Sequence, residues 1–377
     1  MTISSAQMAR LPDIDTTLAT VERIASAPTA PFHEFRAMRA IAAELATIGI
    51  ATETDAYGQL HARVQHGRAV RSMALLAHTD HPAFDVIRAD GNEGRARILG
   101  GFYARFFARA VNVLVCDDED GAPFAAVLDD YVPEPDLPNN SLGHCRIRAK
   151  QPLRVGQWAI VDLPPFEALG DELHLRAADD LALAAVVVLA LAALRDDPRA
   201  HDVHAVFTRG EETGLYGARL VAEDGLLPKD AIVVSLEASR ALATARPGAG
   251  VVVRPGDVYN TFSNDGERFL RVARERLAED GIPKQRALLT GGTCESSAFV
   301  RMGWTTTAIA LPNVNYHNQT EEHDRFVPEI VRLSDLRGAV ALLVEAATAA
   351  GADEDESWWP DVRKVPPDMR DRMRRRG

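Results

Sequence analysis

Fourteen consecutive apolar residues, Leu181–Leu194 (LALAAVVVLALAAL), constrain this chain more than any other feature of its sequence. The run is shorter than the roughly 18 residues a membrane span needs. A helix that is apolar all round must instead be buried inside a protein. Two aspartates, Asp179 and Asp180, stand directly before it. Around the run lie stretches of strand length: the continuously apolar Met73–Ala77, and His201–Phe207, Ala231–Leu236 and Thr306–Leu311. A continuous apolar run such as Met73–Ala77 reads as a strand covered on both faces, as in a parallel sheet. Helical spacing recurs over Thr16–Ile48 (broken at Pro28–Phe32), Tyr216–Ala222, Glu267–Glu279 and Leu333–Ala350. The expected architecture is α/β, with a mixed, largely parallel sheet flanked by helices.

The texture changes between Val86 and Asp171. Short β-rich runs (Val111–Cys116, Phe124–Leu128, Trp158–Val161) alternate with turn-rich pieces, the pattern of a small inserted β-barrel. The expected organisation is a catalytic domain in two parts, residues 1–87 and 172–350, interrupted by a barrel at 88–171. Residues 351–377 form a tail holding Trp358, Trp359 and five arginines in its last eight residues. That tail reads as a solvated, partly disordered segment or as one that docks on another subunit.

Composition excludes several functions. Acidic residues outnumber basic ones 54 to 42, a net charge of −12, which opposes binding to a phosphate backbone. Three scattered cysteines, Cys116, Cys145 and Cys294, make neither a disulfide framework nor a thiolate zinc site. Residues 1–28 hold no continuous apolar core of signal-peptide length, so a soluble, cytoplasmic protein is expected, with no membrane partner.

The ionisable residues that can do chemistry cluster at the ends of the expected strands. His78 and Asp80 follow the first strand, and Glu211-Glu212 follow the second. Glu237 ends the third, and His317 comes six residues after the fourth. In an open α/β sheet the carboxyl ends of parallel strands line the ligand crevice, so residues distant in sequence meet there. Imidazole and carboxylate are ligands that zinc accepts. His78, His317, Asp179, Glu212 and Glu237 suffice for two divalent ions with one aspartate bridging. Three carboxylates and a bridging hydroxide balance the four positive charges, and metal binding lowers the pKa of water from about 15.7 to about 7. Glu211 is placed to take the proton and pass it to a leaving amine. Asp80 is placed to accept the other ring N–H of His78. Two choices stay open on residues alone: Asp179 or Asp180 as the bridge, and His317 or His323 as the ligand. His81 reads as a loop residue able to touch the site. His144, Cys145, His201 and His204 read as structural, and Arg254 and Asp257 either help shape the substrate pocket or flank a turn at Pro255-Gly256.

In this order the motifs His78-x-Asp80, Asp179-Asp180, Glu211-Glu212-x-Gly214, Glu237 and His317 resemble the co-catalytic two-zinc exopeptidases. They are most similar to the tetrahedral (TET) and glutamyl aminopeptidases. Gly100–Leu114, Val155–Asp162, Thr208–Arg219, Gly250–Asp257 and Gly291–Thr293 extend the resemblance over most of the chain. It implies a metallo-aminopeptidase for short peptides, with His78 and His317 as terminal ligands and Asp179 as the bridge. Glu212 and Glu237 would serve one metal each and Glu211 would be the general base. Two ions per subunit are implied, zinc first, with cobalt or manganese able to replace it. The family's β insertion mediates dimer contacts, and its dimers build twelve-subunit shells, so a homo-oligomer is expected. Departures fall at Leu181 and Leu183, where arginine and then glycine are usual, at Cys294, where aspartate is usual, and at His81-Pro82. None removes an expected ligand. The readings that compete are a two-zinc carboxypeptidase or N-acyl amino-acid amidohydrolase, and a non-catalytic relative that keeps the fold for binding or assembly.

Overall fold

Asp13 caps the first helix by accepting the backbone N–H of Thr16 at 2.9 Å, and Ser263 caps a later one in the same way. These and the other elements come from a computed structural model, which describes residues 11–117, 121–134, 142–322, 325–354 and 364–374. Helices α1 (Ile14–Ala25) and α2 (Phe35–Thr47) precede strands β1 (Thr52–Thr54), β2 (Leu60–His66) and β3 (Met73–His78). Then come β4 (Ala83–Asp90), β5 (Glu93–Leu99), β6 (Val111–Cys116), β7 (Phe124–Pro133), β8 (Gly143–Ala149) and β9 (Trp158–Val161). The hairpin β10 (Phe166–Leu169) and β11 (Glu172–Leu175) leads to α3 (Ala178–Arg195), β12 (His201–Thr208), α4 (Tyr216–Asp224), β13 (Ile232–Arg240) and β14 (Val251–Arg254). The chain continues through α5 (Asn264–Glu279), β15 (Lys284–Arg286), α6 (Ser296–Arg301), β16 (Thr306–Asn313), β17 (Glu329–Arg332), α7 (Leu333–Gly351) and α8 (Pro367–Arg374).

The apolar run forms α3, and every residue from Ala178 to Leu191 is buried. This helix lies against β3 and β13 and against α1, α2 and α7, which explains why it has no polar face. Each of its leucines contributes roughly 1.5–3 kcal/mol by leaving water. Beside it runs an eight-stranded sheet in the order β1-β2-β12-β3-β13-β16-β14-β15. The four central strands are parallel, with Thr208 opposite His78 and Glu237 opposite Ala310. Ser235 pairs with Leu76, so His78 and Glu237 each lie two residues further along neighbouring strands.

Strands β4 to β9 close into a barrel in the order β4-β5-β8-β7-β6-β9, around Phe84, Ile98, Val113 and Ile147. The barrel strands run from Ala83 to Val161, and the hairpin β10–β11 is not among them. It pairs instead with β17 in a separate three-stranded sheet, Leu173 opposite Val331. The hairpin straddles residue 171, where the sequence reading ends the insertion, because short alternating strands carry no sign of which partner they will find. Strands β1, β2, β14 and β15, absent from the strands read in the sequence, complete the edges of the large sheet. Within the tail, Pro367–Arg374 is an exposed helix, while Trp358 and Trp359 lie outside the described residues. No helix among the described residues is long and apolar enough to cross a membrane.

Candidate metal centre

The carboxyl ends of β12, β3, β13 and β16 lie along one edge of the sheet, and there the chain collects its buried ionisable side chains. His78 is the last residue of β3, Glu237 sits in β13, and Glu211-Glu212 follow β12. His317 lies in a short 3₁₀ turn after β16, and Asp179 opens α3. Asp179 turns one oxygen toward each histidine: Oδ1 is 3.2 Å from His78 Nε2, and Oδ2 is 3.4 Å from His317 Nε2. Glu212 Oε1 is 3.2 Å from the same His317 nitrogen.

These atoms form two overlapping sets of metal-ligand geometry, His78–Asp179–Glu237 and Asp179–Glu212–His317, which share Asp179. A third set, His78–Glu211–Glu212, overlaps both. Asp179 Oδ2, Glu212 Oε1, Glu237 Oε2 and His317 Nε2 are all buried with no hydrogen-bond partner. A buried polar atom without a partner is costly, and four of them facing one another fit a site built for cations. The electrostatics agree. Burial raises the Glu237 pKa well above the usual carboxylate range, and the Asp179 charge raises it further. Burial lowers the His78 pKa, but Glu211, Asp179 and Asp80 outweigh it and hold the imidazole well above its ordinary value. His317 is raised in the same way, by Glu212 and Asp179 against burial.

Each histidine has its second nitrogen tied to a carbonyl oxygen, which can only accept. His78 Nδ1 donates to the backbone oxygen of Asp80 at 3.1 Å, and His317 Nδ1 donates to that of Gly101 at 2.9 Å. Both hydrogens therefore sit on Nδ1, leaving each Nε2 to face the carboxylates.

Asp80 faces two ways: Oδ1 is 3.5 Å from His78 Nδ1, and both carboxylate oxygens also take hydrogen bonds from a neighbouring loop. Oδ1 accepts the backbone N–H of Glu211 and Oδ2 that of Glu212, each at 3.0 Å. A loop carrying two acidic side chains has N–H groups that need a fixed acceptor, and Asp80 supplies it. Asp180 lies outside all three ligand sets. It accepts the N–H of Ala238 at 3.1 Å, and burial raises its pKa strongly. His323 lies outside the described residues.

Two buried carboxylates with no motif around them hold the site together. Glu329, from β17, accepts the N–H of Asp179 on Oε2 at 2.9 Å and that of His317 on Oε1 at 2.7 Å. Glu34, just before α2, accepts the N–H of Gly210 at 3.0 Å and Arg209 Nε at 2.7 Å, steadying the loop that carries Glu211. His81 reaches the centre through backbone, with Nδ1 donating to the Asp179 carbonyl. Nothing local in the sequence marks Glu329 or Glu34, because their partners lie up to 176 residues away.

A cleft of about 510 Å³ opens on the centre, lined by Tyr103, Glu211, Glu212, Arg240, Tyr316 and His317. Beside it a smaller recess is lined by Glu237, Ser239, Arg254 and Tyr316. Arg254 is buried there, and its Nη1 donates to Ser239 Oγ at 3.0 Å. Asp257 instead braces the adjoining loop, accepting from Thr293 Oγ1 at 2.9 Å and from the Cys294 N–H at 3.3 Å. Leu181, Leu183 and Cys294 are fully buried, so these departures from the family pattern fall in packed interior.

Solved structures similar to this chain include several aminopeptidases. One from the archaeon Desulfurococcus kamchatkensis is 20% identical with a TM-score of 0.72, covering 94% of this chain and 99% of its own. A TET aminopeptidase from a marine-sediment Thaumarchaeota archaeon is 18% identical at TM-score 0.74, covering 89% and 97%. The TET1 peptidase of Pyrococcus horikoshii, which can assemble into a tetrahedron or a large octahedral shell, is 21% identical at TM-score 0.71, covering 88% and 99%. No protein of curated function matches the sequence significantly. Residues 146–328 match the family model of the M42 glutamyl aminopeptidases, a segment that carries Asp179, Glu211, Glu212, Glu237 and His317. Fold and family match together define the class: a metallo-aminopeptidase, a hydrolase of peptide bonds. The matched family, the M42 glutamyl aminopeptidases, is the group that the motifs of the chain resemble.

Proposed function

We propose that this enzyme removes N-terminal residues from short peptides at a centre of two divalent ions, zinc first among them. His78, Asp179 and Glu237 would hold one ion, Asp179, Glu212 and His317 the other, with Asp179 as the bridge. The observation that carries this reading is the placement of Asp179, one oxygen toward each histidine, among unpartnered buried donor atoms. Bound ions would polarise the scissile carbonyl and acidify water.

The chain's own residues would do the rest. Glu211 stands beside the two ligand sets that share Asp179, with its backbone pinned by Asp80. Burial first, and then the Glu237 charge, raise its pKa well above the ordinary value. A carboxylate raised in this way is a good proton carrier near neutral pH. Glu211 would take a proton from the attacking water and deliver it to the departing amine. The 510 Å³ cleft would seat the substrate, with Tyr103 and Arg240 on its rim.

The shell assembly of the Pyrococcus horikoshii enzyme supports reading this protein as a homo-oligomer too. A cytoplasmic location remains the reading from sequence. The deciding experiment pairs elemental analysis with release of N-terminal residues from a mixed peptide pool, before and after chelation. About two ions per chain, with cleavage lost on chelation and restored by metal, is the expected result. Two ions with C-terminal or acyl cleavage instead would favour the carboxypeptidase or amidohydrolase. Absence of tightly bound metal after supplementation would favour the non-catalytic relative.

A further inference from the structure

The two histidines of the centre are supported from different parts of the chain. His78 is backed by Asp80, two residues along the same strand end. His317 is backed by Gly101, which lies 216 residues away in the arm joining barrel strands β5 and β6. We propose that the inserted barrel is a working part of the metal centre: the Gly101 carbonyl orients His317, so that the ion held by His317, Glu212 and Asp179 is retained only while the barrel arm is seated against the His317 loop.

Two side chains of the His317 loop, Gln319 and Phe326, seat that arm. Gln319, two residues after His317, donates from Nε2 to the Gly101 carbonyl at 3.2 Å and accepts the Tyr103 N–H on Oε1 at 2.8 Å. Phe326, on the returning side of the same loop, packs against Phe102, Phe106 and Phe107 of the arm, with ring centroids 5.4, 5.0 and 6.0 Å away. Gly101 itself has no room for a side chain, because a Cβ there would come within 2.7 Å of the His317 imidazole. The arm therefore meets the ring backbone-first. A hydrogen bond from the second nitrogen of a ligating histidine sets both its tautomer and its direction, and losing such a partner typically costs 10–100-fold in metal affinity.

This inference rests on the two-metal reading and is tested so that the two fail separately. Metal-stripped protein is titrated with cobalt(II), which accepts the same ligands, and followed by visible absorption and elemental analysis. Wild type should take up two equivalents. Gly101→Ala should keep one at wild-type affinity and bind the other about 10–100-fold more weakly, with a changed cobalt spectrum for that equivalent. Gln319→Leu, which removes two ties without crowding the ring, should weaken the same single equivalent severalfold, and it carries the test if Gly101→Ala does not fold. Wild-type binding of both equivalents in either folded variant would overturn the proposal, as would equal weakening of both. Failure of wild type to bind two equivalents would overturn the two-metal reading itself.

Discussion

The carboxylate of Asp80 accepts the backbone N–H of Glu211 at 3.0 Å, and with its other oxygen that of Glu212. One side chain from the end of β3 thus sets the position of two acidic residues on the loop after β12. A His-x-Asp pair suggests an aspartate that serves its histidine, and here the Asp80 carbonyl accepts from His78 while its carboxylate, 3.5 Å from the same ring nitrogen, also holds the neighbouring loop.

Asp80→Asn tests that division of labour. Asparagine has one acceptor oxygen, so its amide NH₂ would face one of the two N–H groups. The loop should lose registry, with kcat falling on the order of 10–100-fold while the His78 position keeps its ion. Steady-state kinetics alongside metal content checks this, and an unchanged kcat would show that the loop holds without Asp80.

Glu211→Gln keeps the shape and hydrogen-bonding size of the side chain but removes its proton-carrying capacity. Both ions should remain, and turnover should fall by about 10²–10⁴. Full activity in this variant would assign the proton transfer to another group.

Glu329→Gln addresses the hidden brace. Glu329 accepts the N–H groups of Asp179 and His317 and the Asn313 side-chain amide at 2.8 Å. Placing an NH₂ among three donors should cost about 1–3 kcal/mol of stability and weaken metal retention. Melting temperature and ion content of the variant read the two effects, and no change in either would remove Glu329 from the site.

A pH effect is expected far from the metal centre. Asp335 is buried at the start of α7, and burial raises its carboxyl to about 6 from the ordinary 3.8, although it accepts the N–H groups of Gly248 and Gly250 at 2.7 Å. Between those values the folded chain holds a proton that the unfolded chain has released, so folding takes up a proton. Stability from this group is therefore fully present below pH 3.8 and is lost as pH rises through about 6. Denaturant midpoints of wild type should fall relative to Asp335→Asn over that window and run parallel above it. A difference independent of pH would refute the assignment.

Much of this molecule is determined by the sequence alone. Fourteen apolar residues in a row leave α3 no solvated face, and the apolar run Met73–Ala77 leaves its strand nowhere to lie but inside a covered sheet. The gathering of candidate ligands at the ends of the strands follows from the rule that parallel strands in one sheet share a carboxyl edge. These are local constraints, because periodicity and burial act over a few residues at a time. What only the tertiary structure decided are the pairings across long stretches of chain. The β10–β11 hairpin joins β17 rather than the barrel, Asp80 holds a loop besides facing its histidine, Glu329 ties Asp179 to His317, and Gly101 reaches His317 from the barrel. A lone glutamate or glycine carries no local signature of such a partner. Its role is created when buried N–H groups, cut off from water by the packing of the whole chain, must find whichever acceptor the fold has brought beside them.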